Sequence, residues 1–228
     1  MNRMALYAIS DLHLPLGVHK PMDIFGSNWS NYVTRLKDNW CLSPEDTVVL
    51  GGDFSWATYL DESQADFEFI NSLAGNKIFL KGNHDYWWTT MAKLEQFMLE
   101  HGYSHIRFLH NNAFLCGRTA VCGTKGTSQA SHFADEQEEK LYLREASRFK
   151  LSLQCASRLD ADEIVAFLHY LPAKGSLFFE LMKEFGVKRC YYGHLHGETA
   201  DFRREHFEDG IRLQLISCDY LGFQPIKI

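Results

Sequence analysis

In FLKGNHDYWW, Phe79 to Trp88, an apolar run breaks at Gly82 into an amide, an imidazole and a carboxylate, and a run of aromatics follows. The apolar part, Lys77 to Leu80, is short and ends in turn residues, as a strand buried within a layered sheet should. Gly82-Asn83-His84-Asp85 taken alone reads equally well as a polar turn, because Asn and Asp are common turn and cap formers. The other strand ends of the chain separate the two readings.

Four further segments end in the same chemistry. YAISDLH ends with Asp11 and His13, VVLGGD with Asp53, IVAFLHYLP carries His169, and CYYGHLHG carries His194 and His196. Alternate residues of an extended segment point the same way, so His194 and His196 share a side. Five of the chain's eleven histidines fall in these segments, each just past a strand-like run. Ligands gather at the carboxyl ends of strands in α/β sheets. A turn explains any one segment; the ordered set predicts one rim rich in carboxylate, amide and imidazole.

The remaining strand-like runs are Ala5 to Ser10, Thr47 to Leu50, Ile106 to Leu109, Ala113 to Cys116, Thr119 to Cys122, Glu163 to Leu168, Lys188 to Tyr192 and Arg212 to Ser217. Helices are expected over Ser30 to Asn39, Glu62 to Leu73, Trp87 to His101 and Ser176 to Phe185. The longest, Glu136 to Arg158, carries Tyr142, Ala146, Phe149, Leu153 and Ala156 in an apolar stripe at three- and four-residue spacing. Asp135 and Glu138 form a capping pair at its start. The early alternation of strand and helix predicts an α/β fold. The three successive strands from Ile106 to Cys122 predict a meander, and so mixed sheets. With no repeat and no linker-like segment, one domain over residues 1–228 is expected.

The chain has 228 residues, 46% of them hydrophobic and 23% charged, which suits a soluble globular protein with a sizeable core. A formal net charge of -6 and the lack of a dense Lys/Arg block argue against a long nucleic-acid partner. Cys41, Cys116, Cys122, Cys155, Cys190 and Cys218 form no CxxC pair and read as buried reduced thiols, suited to a reducing compartment. Asp11 and His13 interrupt the apolar N-terminal run, and no run approaches membrane-spanning length. A cytoplasmic protein with no membrane partner is expected, its oligomeric state left open.

The ordered motifs DLH, GGD, GNHD, the lone His169 of HYLP, and GHLH resemble those of the calcineurin-like metallophosphoesterases, over most of the chain from Asp11 to His196. The resemblance implies a four-layer αββα sandwich, two mixed β-sheets flanked by helices, with a binuclear metal centre at the strand ends. It implies that Asp11, His13, Asp53 and His196 hold one divalent ion and that Asp53, Asn83, His169 and His194 hold the second, with Asp53 bridging. Oxygen and nitrogen ligands without thiolate suit manganese first, with iron, zinc or cobalt also fitting. Two such ions, about 3.5–4 Å apart, hold a bridging hydroxide and clamp a phosphate. Two divalent cations, two carboxylates and one hydroxide leave about one positive charge, so the site still attracts an anion.

The implied activity is a phosphatase or phosphodiesterase acting on a small phosphorylated substrate by in-line attack of that hydroxide. His84, which is not a ligand in the family, is implied to protonate the leaving group and to contact the phosphate beside Asn83. Asp85 has two readings, orienting His84 or capping the helix near Trp87. The chain departs from the protein phosphatases, which place an Asp three residues after the bridging one; here that residue is Trp56. Trp56, Tyr59, Tyr86, Trp87 and Trp88 either line a pocket for a flat or sugar-bearing leaving group or pack the core. Trp56 and Trp87 are the expected substrate contacts among them. In GTKGTSQASHFADEQ, Gly123 to Gln137, Lys125 and His132 are further expected contacts. The alternatives are a non-catalytic scaffold of the same fold, and a nuclease or cyclic nucleotide phosphodiesterase. The acidic balance speaks against long duplexes, whose affinity comes mainly from Lys and Arg.

Overall fold

The computed structural model describes residues 4–128, 133–197 and 205–228. Strands β1 (Leu6–Ile9), β2 (Thr47–Leu50), β3 (Asn76–Phe79) and β4 (Ile106–Phe108) lie parallel in that order. The second sheet runs β5 (Ala113–Cys116), β6 (Thr119–Thr124), β7 (Glu163–Leu168), β8 (Arg189–Tyr192), β10 (Ile211–Leu215) and β9 (Glu205–Glu208). Its centre, β6 to β8 and on to β10, is parallel, and its edges β5 and β9 are antiparallel. A short β11 (Ile226–Lys227) pairs antiparallel with β1 and closes the first sheet.

Three apolar cores stack through the molecule and make four layers. Helices α1 (Tyr32–Asp38), α2 (Gln64–Ser72) and α3 (Met91–Glu100) bury Leu36, Phe67, Ile70 and Leu94 against Ile9, Val48, Leu50 and Phe79 of the first sheet. Between the sheets lie Ala8, Val49, Ile78, Val121, Val165 and Tyr191. Beyond the second sheet, α4 (Glu136–Ala156) and α5 (Leu177–Glu184) pack Phe149, Leu153, Phe179 and Met182 on Ala120, Ala166, Cys190 and Leu213. Successive residues of a strand face opposite sides. Val48 and Leu50 therefore enter the outer core while Val49 enters the central one. That double burial is why these strands read as continuous apolar runs. The architecture is the expected αββα sandwich of two mixed sheets.

The stripe expected on α4 is buried in full, and Asp135 caps the helix by accepting from Gln137 N (2.8 Å) and Glu138 N (2.9 Å). The expected meander is not formed. β4 joins the first sheet beside β3, and β5 opens the second as a hairpin with β6. Asn112 redirects the chain between them: its Oδ1 accepts from His110 N and its Nδ2 donates to Phe108 O, with Asn111 left-handed at φ 59°. β9 and β11 carry no expected strand signal. The third helix begins at Met91 rather than near Trp87, with Thr90 as its cap. All six cysteines are free, but Cys41 is exposed and Cys116 and Cys155 are only half-buried, so burial holds for the other three. Among the described residues no helix is long and apolar enough to cross a membrane.

Candidate metal centre

The polar residues past the strand ends meet at one rim. Asp11 and His13 follow β1, Asp53 follows β2, and Asn83 and His84 follow β3. His169 follows β7, and His194 and His196 follow β8, so the two sheets face each other across the site. The backbone curls to aim these side chains. Asp11, His13, Asp53 and His194 all hold positive φ (59°, 46°, 51° and 71°), a region non-glycine residues rarely occupy and which clusters at functional sites. The loops after β1 and β2 are laced together by Asp11 N to Gly52 O, His13 N to Asp53 O and Leu14 N to Phe54 O, each 2.9 Å.

Two groups of ligand atoms result. Asp11, His13 and His196 bring donor atoms within 4.8 Å of one another, and so do Asp53, His169 and His194. In the second group Asn83 Oδ1 stands 2.7 Å from His169 Nε2 and 2.9 Å from His194 Nδ1. Asp53 Oδ2 lies between the groups, 3.9 Å from His13 Nε2 and 3.4 Å from His169 Nε2. Among the described residues it reaches toward an imidazole of each group.

These residues fit a pair of divalent ions. Six of the seven carry oxygen or imidazole donors into the two groups and Asn83 adds an amide oxygen to the second. No thiolate intrudes, which suits borderline and hard cations. His13 is buried, yet its Nδ1 finds no hydrogen-bond partner among the described residues, and its Nε2 is held by no protein hydrogen bond. An imidazole so placed is not there for structural bonding. The surrounding backbone is cut back to make room. A Cβ on Gly82 would meet Asp53 Oδ1 at 2.1 Å, and one on Gly193 would meet Asp11 Oδ2 at 2.3 Å.

The electrostatics are those of a site built around positive charge. Burial works against an ionised Asp11, but its hydrogen bond to His196 and the charges of the neighbouring imidazoles outweigh it and hold the carboxyl well below its ordinary range. Burial likewise opposes ionised Asp53, and the charge of His169 overcomes it. Burial lowers His13 to about 4. It would lower His169 and His196 too, but Asp53 raises the first to about 9, and Asp11 with Asp219 raises the second to about 10. Without a metal, protonated imidazoles thus take the place of the cations, and ligation would release their protons.

Asp219 belongs to the site and carries no motif. It stands just past β10, and its Oδ1 lies 2.9 Å from His196 Nδ1, leaving Nε2 turned to Asp11 Oδ1 at 3.4 Å. A carboxylate behind a ligand histidine fixes its tautomer and ring plane. Asp85 does neither of the jobs expected of it. It is buried and accepts from Gly82 N (2.7 Å), Phe54 N (2.8 Å), Asp53 N (2.9 Å) and Trp87 Nε1 (3.0 Å). It clamps the β2 loop to the β3 loop; the helix starts too late for it to cap, and its oxygens are spent on backbone rather than on His84.

His84 N donates to Asp53 Oδ1 (2.7 Å), while its ring makes no hydrogen bond among the described residues. Trp56 holds it instead, with the ring centroids 5.1 Å apart, and the same indole stacks on His13 at 4.7 Å. An aromatic wall therefore stands where the protein phosphatases place a carboxylate. Trp56, His84, His13 and His196 open on a cavity of about 510 Å³ that Met22, Phe25 and Trp29, from the turns over residues 22–29, also line, with Phe25 stacked on Trp56 at 6.4 Å. Trp29, 6.1 Å from the His13 ring, and Phe25, 62% exposed at the mouth, carry no sequence signal because they lie far from every motif.

The other expected contacts lie elsewhere. Trp87 is 2% exposed and packs edge-on against Phe67, so its place as a substrate contact is corrected: its size and its bond to Asp85 put it in the core. Trp88 is buried against Phe108, and Tyr59 and Tyr86 face solvent. Lys125 lines a different cavity, although its carbonyl accepts from His169 N and Tyr170 N (both 3.1 Å). His132 lies outside the described residues.

The model of the calcineurin-like phosphoesterase family matches residues 4–198, a span that holds all seven expected ligands. No curated protein matches the chain in sequence. Among solved structures, that of a protein of unknown function from Aquifex aeolicus aligns over 99% of this chain and 96% of its own, with a TM-score of 0.50 and 16% identity. A second aligns over 92% of this chain and 88% of its own, with a TM-score of 0.55 and 12% identity. At such identities these two speak to fold alone.

Proposed function

The chain belongs to the calcineurin-like phosphoesterase family, and on that premise we propose that it is a metal-dependent hydrolase of a small phosphomonoester or phosphodiester, with His84 as the proton donor to the leaving group. The observation that carries this reading is the placement of Asp53 Oδ2 between two complete ligand groups, with His84 on the wall of the same cavity. Divalent ions held there, manganese being the first choice, would activate water and neutralise charge on the phosphoryl oxygens.

The chain's own residues supply the rest. Asp53 fixes the backbone of His84 by accepting a hydrogen bond from its N–H at 2.7 Å, and Trp56 fixes the ring plane. An imidazole whose ring makes no hydrogen bond among the described residues can give its proton to a departing oxygen. Trp56, Trp29 and Phe25 form an apolar wall on the same cavity, which suits a flat or sugar-bearing leaving group. Lys20 stands over the Trp56 ring at 4.4 Å and adds positive charge near the mouth. A scaffold role has no observation in its favour, since every ligand position is kept.

The test is hydrolysis of an aryl phosphate and an aryl phosphodiester by manganese-loaded protein. His84→Ala should lower kcat by about 10²–10⁴-fold, most for the poorer leaving group, which most needs the proton. Asp53→Ala should remove both activity and stoichiometric metal. No turnover of either ester by metal-loaded protein, or turnover indifferent to both substitutions, would refute the proposal.

A further inference from the structure

Behind the β3 loop lies a second cavity, of about 590 Å³, that shares no lining residue with the aromatic one. Lys81, Lys125, Arg144 and Arg148 line it, with His110 and a single carboxylate, Glu145. That carboxylate is buried and already occupied: Arg148 donates to Oε1 at 2.5 Å and Thr124 Oγ1 to Oε2 at 2.9 Å. Among the described residues Lys81, Lys125 and Arg144 make no ion pair. Three basic side chains without an ion-pair partner among the described residues thus converge on one cavity of a chain whose net charge is -6. Like charges crowded in a partly desolvated space repel unless an anion joins them. His110 reports that field: burial, and next the Arg148 guanidinium, hold its imidazole below the ordinary range.

We infer that this cavity binds a phosphate-group anion. The Arg144 guanidinium fork and the two ammonium groups, with the remaining donors of the Glu145-bound Arg148, match a dianion with several acceptor oxygens better than a single carboxylate. The cavity touches the metal centre through backbone alone. Lys81 directly precedes Gly82 and Asn83, and the Lys125 carbonyl holds the amide of His169. The anion has two possible sources, a second phosphate on the substrate or a separate effector. The first source rests on the phosphoesterase reading; the site itself does not.

The probe is inorganic phosphate, titrated calorimetrically into metal-stripped protein dialysed free of chelator. Stripping the metals excludes catalysis, and phosphate held only by the protonated imidazoles of the binuclear site would bind unchanged in Arg144→Ala and Lys125→Ala. We expect saturable binding that weakens with salt and falls about tenfold in Arg144→Ala and in Lys125→Ala. Arg144 is exposed on α4, so its variant keeps the fold. No saturable binding overturns the site; so does binding unchanged in both variants, or binding lost instead in Lys20→Ala at the other cavity. Metal-loaded protein then separates the sources. A substrate phosphate predicts that Arg144→Ala raises KM more for a bisphosphorylated substrate than for an aryl phosphate. An effector predicts that a phosphonate changes kcat for the aryl phosphate in the wild type and loses that effect in Arg144→Ala.

Discussion

His196 takes its orientation from both ring nitrogens, Nδ1 on Asp219 and Nε2 toward Asp11. Replacing Asp219 by Asn keeps the size and removes the charge that holds the proton on Nδ1. Metal affinity at the first group should fall about 10–100-fold, read by competition with a metallochromic dye, while the metal-stripped protein keeps its fold with a midpoint lowered by the loss of the Asp219–His196 pair. Affinity equal to wild type would show that Asp219 only decorates the rim. The residues legible in the sequence were those of the ordered motif set: GNHD and GHLH each place two or more donors within four residues, and Asp53 and the lone His169 were legible through the order in which they accompany those motifs. Asp219 stands past a strand end just as Asp53 does, but among Cys218, Tyr220 and Leu221 it has no such company. Asp85 was misread for another reason. Its partners Asp53 and Phe54 lie over thirty residues away, and only the fold brings them to it.

At the scale of elements, α2 braces the loops that present the ligands. Asp66, fully buried on that helix, accepts from Leu16 N (2.8 Å) beyond β1 and from Ser55 Oγ beyond β2. Burial raises its carboxyl to about 7, against the opposing hydrogen bonds of Ser55 and Leu16. The native state therefore holds this proton more tightly than the unfolded chain, whose carboxyl titrates near the ordinary value. The associated stability is fully present below about pH 4 and is lost as pH rises through about 7. Asp66→Asn keeps an acceptor and cannot ionise. Between pH 4 and pH 8 it should gain about 2–4 kcal/mol relative to wild type in urea unfolding. A difference independent of pH would mean that Asp66 stays ionised in the fold. Helices were legible because burial of one face stamps a period on them, and central strands because burial of both faces leaves a short continuous apolar run. The sheet assignment of β4 and β5 was not, since Ile106–Phe108 and Ala113–Cys116 look alike as apolar runs and only Asn111 and Asn112 turn the chain from one sheet to the other. β9, with alternate residues exposed and half-buried at a sheet edge, buries too little to leave a pattern.

Across the whole molecule the two sheets meet through an apolar core along their length and through polar side chains at one end. Asp11, Asp53 and Asn83 come from the first sheet; His169, His194 and His196 come from the second. Each proposed metal group draws from both, Asp11 and His13 with His196, Asp53 with His169 and His194. Ions bound there would be cross-links between the halves of the sandwich rather than ornaments of one loop. A ligand that binds only the native state stabilises it by about 2.7 kcal/mol at a hundred times its Kd. For a chain of this size that corresponds to a rise of about 5–10 °C in Tm. Scanning calorimetry of metal-stripped and manganese-loaded protein should show that rise, and Asp53→Asn should abolish most of it by removing the oxygen common to both groups. Amide exchange tests the cross-link itself. Metal should slow exchange at the carboxyl ends of β1 and β2 and of β7 and β8 together, because opening either sheet at this rim breaks both groups. Protection confined to one sheet would show that the ions bind without joining the halves.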